Sequence, residues 1–505
     1  MGEAPLLYYR NEHVLHFSSH YKDLLDSGAP NTLNPDLLAD YLFINANNHQ
    51  DTVYQYIHRV PPGAYLVIDK TGQQLVSYFS LEAINAELCC DSYDAYTLKF
   101  RQAIEAAVCR RIKGRKIAAH LSSGWDSSAV VSVAAQHMQQ NDLKTYTWRP
   151  AEQAKKLNPN EKHRFNDESS LAKDFIANAD HISNFVALTS NHSCLLDSDE
   201  FFEQHRHPNL FGFNHAWYDA ILQMAQTHGA DTLLTGFSGN FTLSHSGYFS
   251  LSQTVRLLGW MKALKLIGSG IKNEPKYYLR ELKNFTKSRY FSCRWRFSDK
   301  LGKSEQHWFY SFANFDSPVV QQAYQRAVDQ GAIDFFNGGH LNVEKVLPSM
   351  IRGYSWFAEY NYAQQRRYGV ETCSPTLDHD LAVTSLQIPG HILAYKGQAR
   401  ALARSALKTL LPENVLNQKR RGYQNSDWPE RFQKSVNDIQ NEIDLWHESP
   451  LIDALINVGK LQNKLNQWDL NNLPEGKEIA FYTHAIPITV SIGKFIRLTE
   501  NQNQL

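Results

Sequence analysis

The pattern that most constrains the fold is a regular alternation of short apolar runs and amphipathic runs between residues 94 and 236. The stretch YTLKFRQAIEAAVCRRI places Leu98, Ile104, Val108 and Ile112 at helical spacing, and the apolar KIAAHL follows it as a buried strand. Further strands are predicted at 144–150, 182–190 and 231–236, and further helices at 129–140, 168–178 and 215–228. Strands that alternate with helices form right-handed βαβ units, so we expect an α/β fold with a parallel sheet.

The segments on either side have a different character. In VPPGAYLVIDKTGQQLVSYF, at residues 60–79, two apolar runs flank a turn at 69–72, which predicts a β hairpin in a β-rich segment. Beyond residue 250 the pattern is mostly helical and rich in aromatic residues. We therefore expect three parts: a β-rich part at 1–90, an α/β core at 91–250 and a helical remainder at 251–505.

Composition excludes several classes of protein. Lys and Arg total 51 and so do Asp and Glu, so no overall charge would draw the chain to nucleic acid or an anionic membrane. The six cysteines form no CxxC pair and no zinc-like spacing with histidine, which is typical of reduced intracellular thiols without structural metal. No leader or long apolar run is present, so we expect a cytoplasmic protein.

The stretch LSSGWDSSAV, at 121–130, links the first predicted parallel strand to its helix. A helix amino end offers unsatisfied N–H groups and a positive dipole end, which favour an anion, and small residues let phosphate approach the backbone. A carboxylate in such a loop fits phosphate only through a Mg²⁺ ion. The pattern predicts a Mg-pyrophosphate cradle formed by Ser122, Ser123, Gly124, Asp126, Ser127 and Ser128. The alternative is an ordinary Ser/Gly-rich turn in which Asp126 caps the helix.

Four stretches in order carry a resemblance to a known family. The loop is similar to the S-G-G-x-D-S loop of ATP pyrophosphatases, and KIAAHLSSGWDSSAVVSVAA most resembles its form in the asparagine synthetase family. The later stretches are TLLTGFSGNFTLSHSGY, VETCSPTLDHDLAVTSLQIPGHIL and LLPENVLNQKRRGYQNSDW. The resemblance implies an ATP-pyrophosphatase-type parallel-sheet domain with a helical C-terminal part. No Walker-type G-x-x-x-x-G-K-[ST] loop occurs.

The amino-terminal stretches PLLYYRNEHVLHFSSHYKDLL and YIHRVPPGAYLVID look like the last part of the family's glutamine-hydrolysing domain. That domain uses an N-terminal cysteine, whereas Gly2 follows Met1 here and the first cysteine is Cys89. Without a thiolate there is no thioester and no ammonia from glutamine by this route. Two interpretations follow: a structural remnant of that domain, or a misassigned start of the reading frame.

The chemistry implied by the resemblance is adenylation of a carboxylate, followed by attack of an amine, with ATP and Mg²⁺ as cofactors. Asp126 and Asn240 would ligate the metal, and Gly236 and Gly239 would form the second nucleotide loop. The implied catalytic residues are Glu371, which would deprotonate the attacking nitrogen, and Lys419 and Arg420, which would stabilise the transition states. Each has a structural alternative: Glu371 as an ion-pair partner of Arg366 or Arg367, and the QKRR run as a solvated charge cluster. The aromatic residues of YSWFAEYNY line a pocket or belong to the core.

Three residues depart from the family pattern: Ser123 replaces glycine, Asn240 replaces aspartate and Cys373 replaces arginine. With the absent nucleophile, they favour a ligase that joins a carboxylate to an amine within one substrate, as lasso-peptide cyclases and β-lactam synthetases do. The alternatives are an asparagine synthase and a binding protein without turnover. The basic segment 256–303 would suit an acidic peptide or partner protein, a membrane surface or solvent. Expected partners are a small-molecule or peptide substrate, such as a precursor peptide, and a leader-processing protein; we expect neither nucleic-acid nor membrane binding.

Overall fold

A computed structural model describes residues 2–503 except 46–47, 71, 85–87, 139–142, 151–163, 178, 180, 190–198, 248–254, 256–257, 274, 276–277, 280–309, 331, 333–354 and 419. Lys419 and most of the basic segment 256–303 therefore lie outside the described residues. The described strands are β1 Leu7–Arg10, β2 Leu15–Ser18, β3 Ile57–Arg59, β4 Ala64–Asp69, β5 Gly72–Ser77, β6 Ile117–His120, β7 Leu143–Arg149, β8 Arg164–Phe165, β9 Ile182–Leu188, β10 Thr232–Leu234, β11 Glu371–Cys373 and β12 Arg421–Gly422.

The α-helices of the described residues follow the same order along the chain. They are α1 Tyr21–Asp26, α2 Pro35–Leu42, α3 Tyr93–Ile112, α4 Trp125–His137, α5 Ser169–Ile176, α6 Asp199–His205, α7 Asn214–Thr227, α8 Trp260–Asn273, α9 Pro318–Asp329, α10 Ser355–Tyr368, α11 His379–Gln387, α12 Gly390–Leu393, α13 Ala401–Leu407, α14 Glu413–Leu416, α15 Trp428–Asp444, α16 Pro450–Leu455, α17 Val458–Leu465 and α18 Ile486–Asn503.

The central feature is a five-stranded sheet in the order β11-β10-β6-β7-β9. Every neighbouring pair in this sheet is parallel, which confirms the expected α/β fold. From β6 the chain adds β7 and β9 on one side, and then β10 and β11 on the other. The strand order thus reverses between β6 and β10, and such a switch point opens a crevice at the carboxyl ends of the strands.

The helix before the sheet forms where the sequence predicts it, but its buried face differs. Tyr96, Phe100, Ile104 and Val108 of α3 are buried, at a spacing of four residues. Leu98 was expected on this face, yet it is 57% exposed, because it lies about 200° around the helix from Tyr96. Serine 92 caps the helix by accepting a hydrogen bond from the amide of Ala95.

The amino-terminal segment is β-rich, as expected. Strands β2, β1 and β3 form an antiparallel sheet, and β4 pairs with β5 in the predicted hairpin, whose turn joins Asp69 to Gly72. Residues 7–57 share one hydrophobic core with residues of 310–327 and 428–496. The boundary near residue 90 stays a prediction, since this core joins the first part of the chain to the last.

A buried ion pair holds this junction together. The guanidinium of Arg59, on β3, contacts the carboxylate of Glu359, on α10, and their side chains are only 6% and 4% exposed. The hydroxyl of Tyr21 donates to Glu359 (2.6 Å), and Arg59 donates to the hydroxyl of Tyr41 (3.2 Å). Two buried charges that are paired and hydrogen-bonded in this way are stable together but costly to separate.

Candidate active site

The loop after β6 closes on itself through its serine hydroxyls. The amide of Ser122 donates to Ser127 Oγ (3.1 Å), and the Oγ atoms of these two serines are 2.8 Å apart. The amide of Gly124 donates to Ser122 Oγ (3.2 Å), and Ser128 Oγ donates to the carbonyl of Ser122 (3.3 Å). These bonds shape a tight turn from which α4 begins.

Asp126 lies in the first turn of α4 without capping it. The N-cap is Gly124, and no side chain makes a capping hydrogen bond at this helix end, so Asp126 is not the helix cap. One oxygen of its carboxylate, Oδ2, accepts a hydrogen bond from Ser244 Oγ (3.1 Å). The other, Oδ1, is buried and has no hydrogen-bond partner in the described part of the chain.

The glycines of the second loop, which follows β10, pack directly against Asp126. An alanine Cβ at Gly236 would lie 2.6 Å from the amide nitrogen of Ser127. At Gly239 a Cβ would overlap the carboxylate of Asp126. Only glycine fits at these two positions, so the structure brings together the two loops that the sequence singled out. Asn240 follows Gly239 directly and its side chain is exposed.

The electrostatics of the loops centre on Asp126. Burial raises the pKa of this carboxyl to about 6, while the hydrogen bond from Ser244 and the positive charges of Arg400 and Arg421 oppose the rise. A buried carboxylate oxygen without a donor is a natural ligand for a hard cation, so the residues present fit Mg²⁺. No group of three or more His, Cys, Asp or Glu side chains in the described residues is arranged as a metal site.

Two arginines beside this site were missed by the sequence analysis. Arg400 flanks α13 with a left-handed backbone (φ 59°), and its amide donates to the carbonyl of Ser246 (3.0 Å). Its guanidinium lies 5.7 Å from the ring centroid of Trp125, the first residue of α4. Arg421 begins β12 and is the last residue of the QKRR run, although it was not named there as a site residue, whereas no pattern singled out Arg400. The positive charges of both arginines act on the carboxyl of Asp126.

Arg420 is engaged elsewhere. Its guanidinium lies 3.9 Å from the ring centroid of Phe165 and donates to the carbonyl of Arg164 (2.8 Å), both residues of β8. The side chain is exposed and stays a predicted catalytic group, as does Lys419, which falls outside the described residues.

Glu371 lies at the other edge of the sheet. It begins β11, pairs with Thr232 and is level with Ile117, the first residues of β10 and β6, whereas both loops follow the carboxyl ends of these strands. Three strand residues separate the two edges by roughly 10 Å. Arg115 donates to its carboxylate (2.5 Å). The structure therefore does not bring Glu371 to the loops, and the ion pair it forms is with Arg115 rather than with either arginine suggested by the sequence.

The aromatic run of α10 belongs to the core where it is described. Phe357 and Tyr360 are buried with Tyr218 and pack against the half-buried Phe211, and Phe237 of the second loop packs on Phe357 with ring centroids 5.4 Å apart. This favours the core interpretation for Phe357 and Tyr360. The side chain of Trp356 lies outside the described residues, and Tyr362 is half-buried.

Comparison with known families decides the identity. Residues 99–476 match the model of asparagine synthase. The chain belongs to the asparagine synthase family. Residues 1–79 match the glutamine amidotransferase domain, which agrees with the resemblance of the amino-terminal stretches. A search of curated proteins found no match.

Family membership has direct chemical consequences. An asparagine synthase-type domain makes this protein an ATP-dependent ligase that forms carbon–nitrogen bonds.

Four cysteines of the described residues, Cys89, Cys90, Cys109 and Cys373, are free thiols. In the part of the chain that the structure describes, no helix combines the length and the apolar character that crossing a bilayer requires.

Proposed function

We propose that this ligase activates a carboxylate of a peptide with ATP, releases pyrophosphate and joins the acyl group to an amine of the same substrate. The observation that carries the proposal is the position of Asp126. Its unpartnered Oδ1 lies at the switch point of the sheet, between two glycine-containing loops that follow β6 and β10. Nucleotides bind at switch points of this kind.

The residues of the site have different roles in binding the phosphates of ATP and Mg²⁺. The first turn of α4 presents backbone N–H groups and a positive dipole end to the phosphates. Arg400 and Arg421 lie close enough to Asp126 to act on its charge, so they also act on a polyphosphate beside it. Mg²⁺, when bound, would neutralise the leaving pyrophosphate, and Asp126 and Asn240 would hold it. The protein thereby supplies alignment and charge neutralisation for attack at the α-phosphorus.

The source of the amine separates this proposal from asparagine synthesis. Residues 1–79, which match the amidotransferase domain, contain no cysteine. These residues therefore hold no thiol that could form a thioester with glutamine. An amine carried by the substrate itself removes the need for ammonia, which supports a macrocyclising or lactam-forming reaction on a precursor peptide. A leader-processing protein would act before it.

Pyrophosphate release from ATP by the purified protein tests the proposal. Wild type, Asp126→Ala and the control Asp174→Ala would be incubated with candidate precursor peptides or with aspartate plus ammonia. The control removes an exposed carboxylate from α5, outside the two loops.

We expect release with a peptide, a product lighter by one water molecule, loss of both in Asp126→Ala and retention in Asp174→Ala. Release with aspartate and ammonia alone would instead indicate an asparagine synthase. No release with any substrate would indicate a binding protein, a possibility that Asn240 and Ser123 motivate.

A further inference from the structure

A carboxylate of the protein itself is bound in the pyrophosphate loop. The amide of Ser123 donates to Glu168 Oε2 (2.7 Å), and the hydroxyl of Ser123 donates to the same oxygen. Ser123 is buried, with 8% of its surface exposed, and Glu168 is half-buried. Both donors of one loop residue are therefore directed to an internal anion.

Glu168 is held there by the segment around it. It directly precedes α5 and follows β8, which pairs with β12 at Gly422. An alanine Cβ at Gly422 would overlap the Glu168 carboxylate, so the missing side chain at 422 leaves the space that this carboxylate fills. The tyrosine after it, Tyr423, ties the two segments further, since its amide donates to the carbonyl of Phe165 (2.7 Å).

A phosphate oxygen and a carboxylate oxygen compete for the same donors. Each is an anionic acceptor, and charge-assisted bonds to a buried amide and hydroxyl serve only one of them at a time. A phosphate oxygen and the Glu168 carboxylate, if both lay within hydrogen-bonding distance of Ser123, would also repel each other. A nucleotide phosphate that reaches the Ser123 amide must therefore displace Glu168.

We propose that Glu168 is an affinity-determining residue of the nucleotide site, which occupies the phosphate position on Ser123 until ATP displaces it. The inference rests on the proposed function, because it takes the loop after β6 as the pyrophosphate site. Its half-buried side chain leaves the loop by rotation about its own bonds, without movement of the sheet. ATP affinity is then lower than the loop alone would give.

Equilibrium binding of ATP, inorganic pyrophosphate and adenosine to the full chain in excess Mg²⁺ tests this proposal. We expect Glu168→Ala to bind ATP and pyrophosphate about tenfold more tightly, the effect of one hydrogen bond to a charged acceptor. Adenosine affinity should not change, because adenosine has no phosphate. Glu168→Gln, which keeps the shape and removes the charge, should fall between wild type and Glu168→Ala.

Two further variants separate displacement of the carboxylate from a general change in charge. Gly422→Ala should reproduce the gain, because its Cβ pushes the Glu168 carboxylate off Ser123, and the double variant should gain nothing more. Asp174→Asn removes a charge from the same helix region and should stay within about twofold of wild type.

Equal ATP affinity in wild type and Glu168→Ala overturns this inference and leaves the proposed function intact. Weaker binding in Glu168→Ala also overturns it, since Glu168 would then support the nucleotide-binding form of the loop. Binding of ATP to neither protein would overturn both this inference and the nucleotide site of the proposed function.

Discussion

Replacement of Asp126 by asparagine should make the ligand-free protein more stable relative to wild type, and this difference in stability should grow as the pH rises. Burial raises the pKa of this carboxyl from 3.8 to about 6, so the folded protein holds the proton more tightly than the unfolded chain does. The stabilising contribution of the protonated group is complete below pH 3.8 and is lost as the pH rises through 6. The ionised carboxylate thus costs at most about 3 kcal/mol above pH 7.

Urea unfolding of wild type and Asp126→Asn at pH 5 and pH 8, in metal-chelating buffer, measures this cost. Linkage gives a cost of about 1–2 kcal/mol at pH 5 and about 3 kcal/mol at pH 8, so the variant should gain about 1–2 kcal/mol relative to wild type between them. The unfolding entropy of 505 residues is about 1 kcal/mol/K, so the melting temperature should shift by about 1–2 °C.

Comparison of the stability difference between wild type and Asp126→Asn at the two pH values removes contributions other than the ionisation of Asp126. The amide N–H that asparagine leaves without an acceptor costs the same at both pH values, and the remaining titratable groups are common to both proteins. With Mg²⁺ and ATP present, wild type should gain stability by mass action and Asp126→Asn should not. A stability difference that stays constant between pH 5 and pH 8 would refute the reasoning.

Three further predictions concern the junction and the two edges of the sheet. Arg59→Met should lower the free energy of unfolding by about 3–5 kcal/mol in urea titrations, because Glu359 stays buried without its partner, whereas Arg366→Met at an exposed pair should cost under about 1 kcal/mol. Gly239→Ala should cost about 1–3 kcal/mol and abolish pyrophosphate release, since its Cβ overlaps Asp126; Gly268→Ala, with open space around it, should do neither. Glu371→Gln should retain formation of the amide product, because Glu371 lies at the amino edge of the sheet; loss of the product with pyrophosphate release retained would restore its predicted role in deprotonating the attacking nitrogen.

The fold was predictable because its signals are local. Apolar runs and helical periodicity locate β6, β7, β9 and β10 within a few residues, and alternation implies that they are parallel. β11 could not be found in this way, since it has only three residues, Glu-Thr-Cys, two of them polar. It exists because β10 offers an unpaired edge to a segment that follows more than 130 residues later.

The site was predictable where its residues follow one another in a single loop. Serine, glycine and aspartate in the turn after β6 indicated a phosphate cradle, and the structure adds the contact between Asp126 and Gly239. Arg400 acts on Asp126 from 274 positions further along the chain, a relation that no spacing rule describes. The motif around Glu371 located this residue in the sequence but did not show at which end of a strand it lies. Its pairing with Thr232, the first residue of β10, places it at the amino edge of the sheet.

Ser123, which stands where the family has glycine, is also the residue that binds the Glu168 carboxylate. Where the family has glycine, the loop offers one donor at this position, the backbone amide. The serine found here adds a hydroxyl, and that hydroxyl donates to Glu168 together with the amide. A second donor to the same charged oxygen strengthens the hold of Glu168 on the loop. The serine also adds a Cβ where the backbone of the loop would approach the phosphates, so we expect its Cβ and its hydroxyl both to lower the affinity of the loop for ATP.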